Sequence, residues 1–299
     1  MELSARQPFS LPAVARSHGW MRLAPFTWDD TAGLLTYVDR LSSGRVVVLR
    51  VTEAPGGVRV GVDGDLAPAG AGDAAEIEEV ADHVSWMLGL ERDFSDFYTA
   101  ARDEPKLANA VARGMGRVLR CPTVFEDVVK TILTTNTQWG GTIRMAASLV
   151  DLYGEALPGG VAGDGSNHAF PTPERLAALD ADTLRREARL GYRAPYVLEL
   201  AQGVAAGIID LEALKDPDLP TAEVRQRLLS IKGVGDYAAA NLLAILGHTD
   251  YIPVDSWALK MVSQEFYGGE AVGRAQVEAA FERWGRWKGL AYWFWDWEA

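Results

Sequence analysis

The apolar residues of this chain change their spacing once, and that change divides it. Before residue 63 two runs, RVVVLRVTE over 45–53 and VRVGVD over 58–63, are rich in β-branched residues and flank Ala54-Pro55-Gly56-Gly57, which predicts a β-hairpin. From Ala74 onward apolar residues recur at three and four, as in Ile77, Val80, Val84, Met87 and Leu88, and no convincing strand follows. Helices are expected over residues 122–136, 142–153, 173–189, 194–206, 221–229, 236–246, 256–266 and 273–284. The expected fold is mainly α with a small N-terminal α/β unit over 1–75 and a helical region over 76–299. The run LAPAGAGD (66–73) has the composition of a linker and marks the boundary, and a Gly-rich stretch over 154–170 is expected as a surface loop.

Apolar residues make up 48% of the 299 and charged residues 23%, which excludes disorder as the dominant state. The net charge of −12 argues at first against a phosphate-bearing partner, but its distribution reverses that. Thirteen acidic and three basic residues lie between Glu53 and Glu104, so the rest of the chain carries only −2. A local acidic face is expected, with the remainder free to meet DNA. The single cysteine, Cys121, excludes an intramolecular disulfide, a four-cysteine zinc site and a cysteine-ligated iron–sulfur cluster. No stretch approaches the roughly 20 apolar residues that span a bilayer, and the polar start lacks a signal-peptide core. The expected location is the cytoplasm, nucleoid-associated in a prokaryote, with no membrane partner.

The segment LLSIKGVGDY (228–237) closes one amphipathic helix, makes a tight turn with Gly233 and Gly235, and opens a second helix, AAANLLAIL, that Asp236 is placed to cap. Two glycines let the backbone approach a phosphate, and the first-turn amides of the second helix favour an anion. Lys232, Gly233, Val234 and Gly235 are therefore candidate DNA-backbone contacts, of a kind that needs few cations. The same turn also serves as an ordinary corner between two helices.

The segments on either side of the hairpin narrow the choice. Ile252-Pro253-Val254-Asp255-Ser256-Trp257 places Asp255 twenty residues after Gly235; upstream, Arg120-Cys121-Pro122 leads into VFEDVVKTILTTNTQ, and Leu190-Gly191-Tyr192-Arg193-Ala194 precedes another helix. In these motifs the chain resembles the helix-hairpin-helix (HhH-GPD) DNA glycosylase superfamily, in the group of 3-methyladenine and 8-oxoguanine DNA glycosylases, over about residues 114–266. The resemblance implies two helical lobes flanking a cleft, a hairpin lobe over 121–248 and a second lobe over 76–120 plus 249–299. It implies that Asp255 is the catalytic carboxylate, stabilising positive charge on the deoxyribose as the N-glycosidic bond breaks after base flipping, although Asp255 also suits a helix N-cap. Members that also cut the strand carry a Lys nucleophile where this chain has Tyr237, so no AP-lyase activity is expected; Lys232 and Lys260 do not match that position.

In the 8-oxoguanine members an Asn placed like Asn136 fills the space left by the flipped nucleotide, and a pair like Tyr192-Arg193 wedges the duplex and contacts the orphaned base. A further Arg expected just after Asn136 is absent, Arg144 being displaced. Aromatic faces suit a flipped purine, and the pocket candidates are Tyr237, Trp139, Trp257 and the Trp-rich tail, whose tryptophans equally suit core packing. The resemblance further implies a monovalent cation, Na+ or K+, on the backbone carbonyls of Leu229, Ile231 and Val234, with no other cofactor. The expected protein is a monomeric, monofunctional DNA N-glycosylase of base-excision repair acting on damaged, alkylated purines in double-stranded DNA. An 8-oxoguanine glycosylase and a non-catalytic DNA-binding module are the alternatives.

Overall fold

The computed structural model describes residues 1–63, 71–158, 167–254 and 256–296, and the backbone alone of 71–73. The expected hairpin forms from β4 (Val46–Ala54) and β5 (Gly57–Asp63), turning at Gly56 with φ 78. Three strands not anticipated from the sequence, β1 (Glu2–Ser4), β2 (Phe26–Asp29) and β3 (Leu34–Arg40), extend it to an antiparallel sheet of order β1-β5-β4-β3-β2. A Cβ on Gly57 would overlap the Leu3 carbonyl oxygen, so that glycine lets β1 pair tightly along β5.

Val46 to Leu49 are all buried, which means both faces of β4 are covered. On one, Val38, Val46 and Val48 pack with Ala169, and Leu157 joins them. The start of the Gly-rich stretch is at the surface as expected, with Glu155, Ala156 and Pro158 exposed. Ala156 nonetheless bridges His168, Leu157 N–H donates to the Asn167 carbonyl at 2.7 Å, and at the far end the expectation is corrected, Ala169 and Phe170 being buried. Residues 159–166 lie outside the described residues. Against the sheet the helix Val124–Thr134 supplies Glu126, which accepts from the Tyr37 hydroxyl at 2.7 Å, and Lys130, which lies 4.7 Å from the Phe26 ring centroid.

Among the described residues no strand follows position 71, and apart from that bridge the regular structure there is helical. The helices Thr221–Leu229, Asp236–Leu246 and Ser256–Phe266 have the expected bounds. Residues 173–189 break into Pro173–Ala177 and Ala181–Arg186 because the Asp180 carboxylate accepts from the amides of Asp182 and Thr183 and starts a new helix. The last of the expected helices shortens to Arg274–Phe281, followed by a 3-10 turn kinked at Gly285, φ 53, and by a further helix Lys288–Trp293. In Ala71–Leu88, which begins inside the expected linker, the stripe is buried except for Ile77. Residues 64–70 of that linker lie outside the described residues.

The chain divides into two compact units: residues 1–92 with 117–213, and residues 93–116 with 214–299. This division differs from the one expected in the sequence. The sheet shares a core with the helix Val124–Thr134 instead of standing apart over 1–75, and the hairpin belongs with the C-terminal helices instead of with residues 121–213. In the second unit the tail packs inward: Trp284, Trp287 and Trp295 are buried, with Trp295 5.2 Å from Phe281 and Trp287 5.7 Å from Phe94 between ring centroids. Trp297 lies outside the described residues. No helix among the described residues is long and apolar enough to cross a membrane.

Candidate nucleic-acid interface

In the second unit the helix Thr221–Leu229 closes on Ser230, whose amide reaches the carbonyls of Gln226 and Arg227. Ile231 N–H donates to Leu228 O at 3.1 Å, Val234 N–H donates to Ile231 O at 3.0 Å, and buried Ile231 and Val234 anchor the hairpin from below. Gly233 has φ 90, a conformation that a side chain would strain. Gly235 is different: its φ of −93 and ψ of −173 suit any residue, and a Cβ there would meet nothing within 4 Å. Nothing in the fold requires a glycine at 235, whereas a phosphate approaching the backbone would.

The helix Asp236–Leu246 starts on Gly235 with no side-chain cap. The expectation that Asp236 caps it is corrected: Asp236 is the first helical residue, and its carboxylate pairs with Arg225 instead of with the first-turn amides. Those amides point out of the helix end beside exposed Lys232 and Gly235, so the dipole's positive pole is open to an anion. Among the expected cation ligands, Leu229 is the last residue of its helix, so its carbonyl has no intrahelical donor, and Ile231 O keeps one lone pair beyond its bond to Val234. Carbonyl oxygens are the kind of donor that a hard monovalent cation takes.

Tyr237 is 54% exposed on the first turn of this helix, and Trp257 is 52% exposed with its ring 5.5 Å from that of Tyr292. Asp255 lies outside the described residues. The segment leading to it is anchored: Gly289 N–H donates to Thr249 O at 2.7 Å, Thr249 Oγ1 donates to Arg286 O at 2.8 Å, and a Cβ on Gly289 would overlap the Tyr251 carbonyl oxygen. This seat was not anticipated, because nothing local to Lys288-Gly289-Leu290 marks a partner some forty residues upstream.

In the first unit the helix Val124–Thr134 ends at Thr135, and Asn136 follows with φ 47, a left-handed position that Asn tolerates. The Tyr192 hydroxyl lies 3.1 Å from the Thr135 carbonyl and 3.2 Å from Thr135 Oγ1, and also bonds the Asn136 side chain. Partial burial opposes ionisation of this phenol, but the Thr135 and Asn136 side chains and the Arg193 charge outweigh it and hold its pKa below the ordinary value. Asn136, Tyr192 and Arg193 are thus brought together around one carbonyl. Trp139 lies in this unit too, its indole against the backbone of Gly19, where a Cβ would overlap the ring. Tyr237 and Trp257 belong to the other unit.

Two helices joined through Gly-Val-Gly, the second beginning uncapped on an exposed glycine, define a helix-hairpin-helix protein. A model of the HhH-GPD superfamily of base excision DNA repair proteins matches residues 129–286, and the chain belongs to that family. It is 27% identical over 154 residues to an N-glycosylase/DNA lyase of Saccharomyces cerevisiae, covering 48% of this chain and 40% of that one. It is 27% identical over 196 residues to DNA-3-methyladenine glycosylase 2 of Escherichia coli, covering 62% of this chain and 64% of that one. The chain thus spans less than two thirds of the length of either curated relative. In fold it is similar to a 3-methyladenine DNA-glycosylase from Archaeoglobus fulgidus, with a TM-score of 0.75 and 23% identity over 99% of this chain and 97% of that one.

Proposed function

We propose that this protein is a monofunctional DNA N-glycosylase of base-excision repair that hydrolyses the N-glycosidic bond of alkylated purines flipped out of double-stranded DNA. The observation that carries the reading is Gly235, which the fold does not need and a phosphate would, at the start of a helix that has no side-chain cap among the described residues. Asp255 is the catalytic carboxylate in this reading. As the bond from C1′ to the base nitrogen breaks, the base leaves with the electron pair and the carboxylate stabilises the positive sugar; water oxygen then bonds C1′ and gives up a proton. A monovalent cation on the carbonyls of Leu229, Ile231 and Val234 would add positive charge toward the phosphate at the hairpin; no other cofactor is invoked. The alkylated class is favoured by exposed Tyr237 and Trp257, whose faces attract a cationic purine. In this reading the protein works as a monomer in the cytoplasm, at the nucleoid of a prokaryote.

Incubation with methylated duplex DNA should release free base and leave abasic sites. Asp255→Asn should keep duplex binding and lose turnover by roughly 100-fold or more, since charge is removed with little change of shape; an unimpaired variant would overturn the role of Asp255. Because a phenol forms no imine, borohydride during turnover should trap no protein–DNA adduct. Lys130 is an unsuitable nucleophile, being buried and 2.6 Å from Glu126, so an adduct mapped to Lys232 or Lys260 is the outcome that would establish lyase chemistry. A second reading, an 8-oxoguanine glycosylase, is favoured by the joint placement of Asn136, Tyr192 and Arg193, and release of that base but not of methylated purines would select it. A non-catalytic module would bind DNA in a salt-sensitive way and release no base.

A further inference from the structure

Tyr192 and Arg193 are neighbours in sequence with opposite exposures: Tyr192 is 46% exposed and Arg193 only 6%. The Arg193 guanidinium lies 4.5 Å from the centroid of the Tyr192 ring, Nη2 donates to the Thr135 carbonyl, Nη1 points at Met145 Sδ at 3.9 Å, and Nε is buried with no hydrogen-bond partner among the described residues. Thr135 is where the helix Val124–Thr134 ends. The last carbonyls of a helix lack intrahelical donors, and the dipole gathers negative potential there. A guanidinium at that pole answers both conditions. Arg193 is therefore seated as a side-chain cap of a helix C-terminus, and the fork that would read a base edge is turned inward.

We propose that Arg193 is a positioning residue that clamps Thr135, and through it Asn136 and Tyr192, and that it does not read the base opposite the flipped nucleotide, so that this protein is indifferent to that base. The inference rests on the glycosylase reading above. To reach a base, Arg193 would have to leave the Thr135 carbonyl, the Tyr192 face and the helix pole together, and bidentate readout needs the whole fork free. What stands at the surface instead is the exposed amide of Asn136 and the ring of Tyr192. Neither carries a charge, and a phenol ring stacks on any base.

The test uses the full chain and four duplexes, each with an uncleavable tetrahydrofuran abasic analogue opposite A, C, G or T. The four Kd values should agree within about threefold, since an aromatic wedge is tolerant of base identity. Arg193→Ala should weaken all four together, and Arg193→Lys, which can still donate to the carbonyl, should recover part of the loss. A 2-aminopurine beside the abasic site reports the wedge directly. At saturating protein its fluorescence change should shrink in Arg193→Ala and return in Arg193→Lys, which a loss of stability alone would not produce. A preference of about tenfold or more for one opposite base, of the size that a bidentate contact gives, overturns the inference. That ratio is read on the unsubstituted protein, so it decides even where Arg193→Ala does not fold. Binding no tighter to abasic than to intact duplex in all four arms would sink the glycosylase reading, and this inference with it.

Discussion

Replacing Gly233 and Gly235 one at a time separates what the fold needs from what a phosphate needs. Gly233→Ala puts a Cβ on a residue with φ 90 and should cost about 1–2 kcal/mol of stability. Gly235→Ala adds a methyl into open space at an ordinary φ, so stability should change by less than about 0.5 kcal/mol, while duplex binding falls roughly tenfold. Thermal melts beside a binding titration check both, and a Gly235→Ala variant with unimpaired binding would remove the hairpin from the interface. Glycines of both kinds read alike in a sequence, because the sign of φ and the space around a Cβ are set by the turn as folded. The same holds for the polar residues nearby. Asp236 looks like a cap until Arg225 takes its carboxylate, and Arg193 looks like a surface cation until a helix end 58 residues upstream takes its fork.

The helix Val124–Thr134 shows how an element can be foreseen while its burial is not. Its helical span was legible, but Glu126, Asp127 and Lys130, residue types that usually face solvent, are all buried, and the partners Tyr37 of Glu126 and Trp20 of Asp127 lie 89 and 107 residues away in sequence. The Asp127 carboxylate accepts from Trp20 Nε1 at 2.7 Å, and the His18 ring sits tilted with its centroid 4.5 Å from that of Trp20 while its Nε2 lies 2.6 Å from Leu119 O. Burial pushes the Asp127 carboxyl up to about 7 against the pull of the Trp20 and Cys121 donors. It lowers His18 to about 4, against its bond to the Leu119 carbonyl. The two act in opposite directions. As pH falls from 6.5 to 4 the unfolded chain protonates its histidine before the folded one does, so stability is lost by up to about 3 kcal/mol. As pH rises from 3.8 through 7 the unfolded chain ionises its aspartate first, and stability is lost in that direction. Urea midpoints across pH 4–7 should show that His18→Gln removes the acid-side loss and Asp127→Asn the loss on raising pH. Curves parallel to that of the unsubstituted protein would show that neither burial matters.

The net charge of −12 acts on association through its pairing more than through its sum. Acidic residues of that stretch are paired within each unit by arginines from outside it: Asp63 and Glu76 with Arg50 and Arg45 in the first, Asp96 and Glu104 with Arg286 and Arg283 in the second. Composition could not reveal this, since every pair joins segments that the fold brings together. Near the hairpin, Arg225 is held by Asp236 and Arg227 by Glu223. What the hairpin offers DNA is backbone amides and a helix dipole, and dipoles displace few counterions. Since log K falls with log[salt] by about 0.9 for each phosphate neutralised by a cation, the slope for undamaged duplex should be no steeper than about −3. Asp236→Asn, which frees Arg225, should steepen it by about one and tighten binding at low salt. Titrations between 50 and 200 mM salt decide this, and a slope near −6 for the unsubstituted protein would mean that a belt of cations, and not the hairpin backbone, carries the affinity.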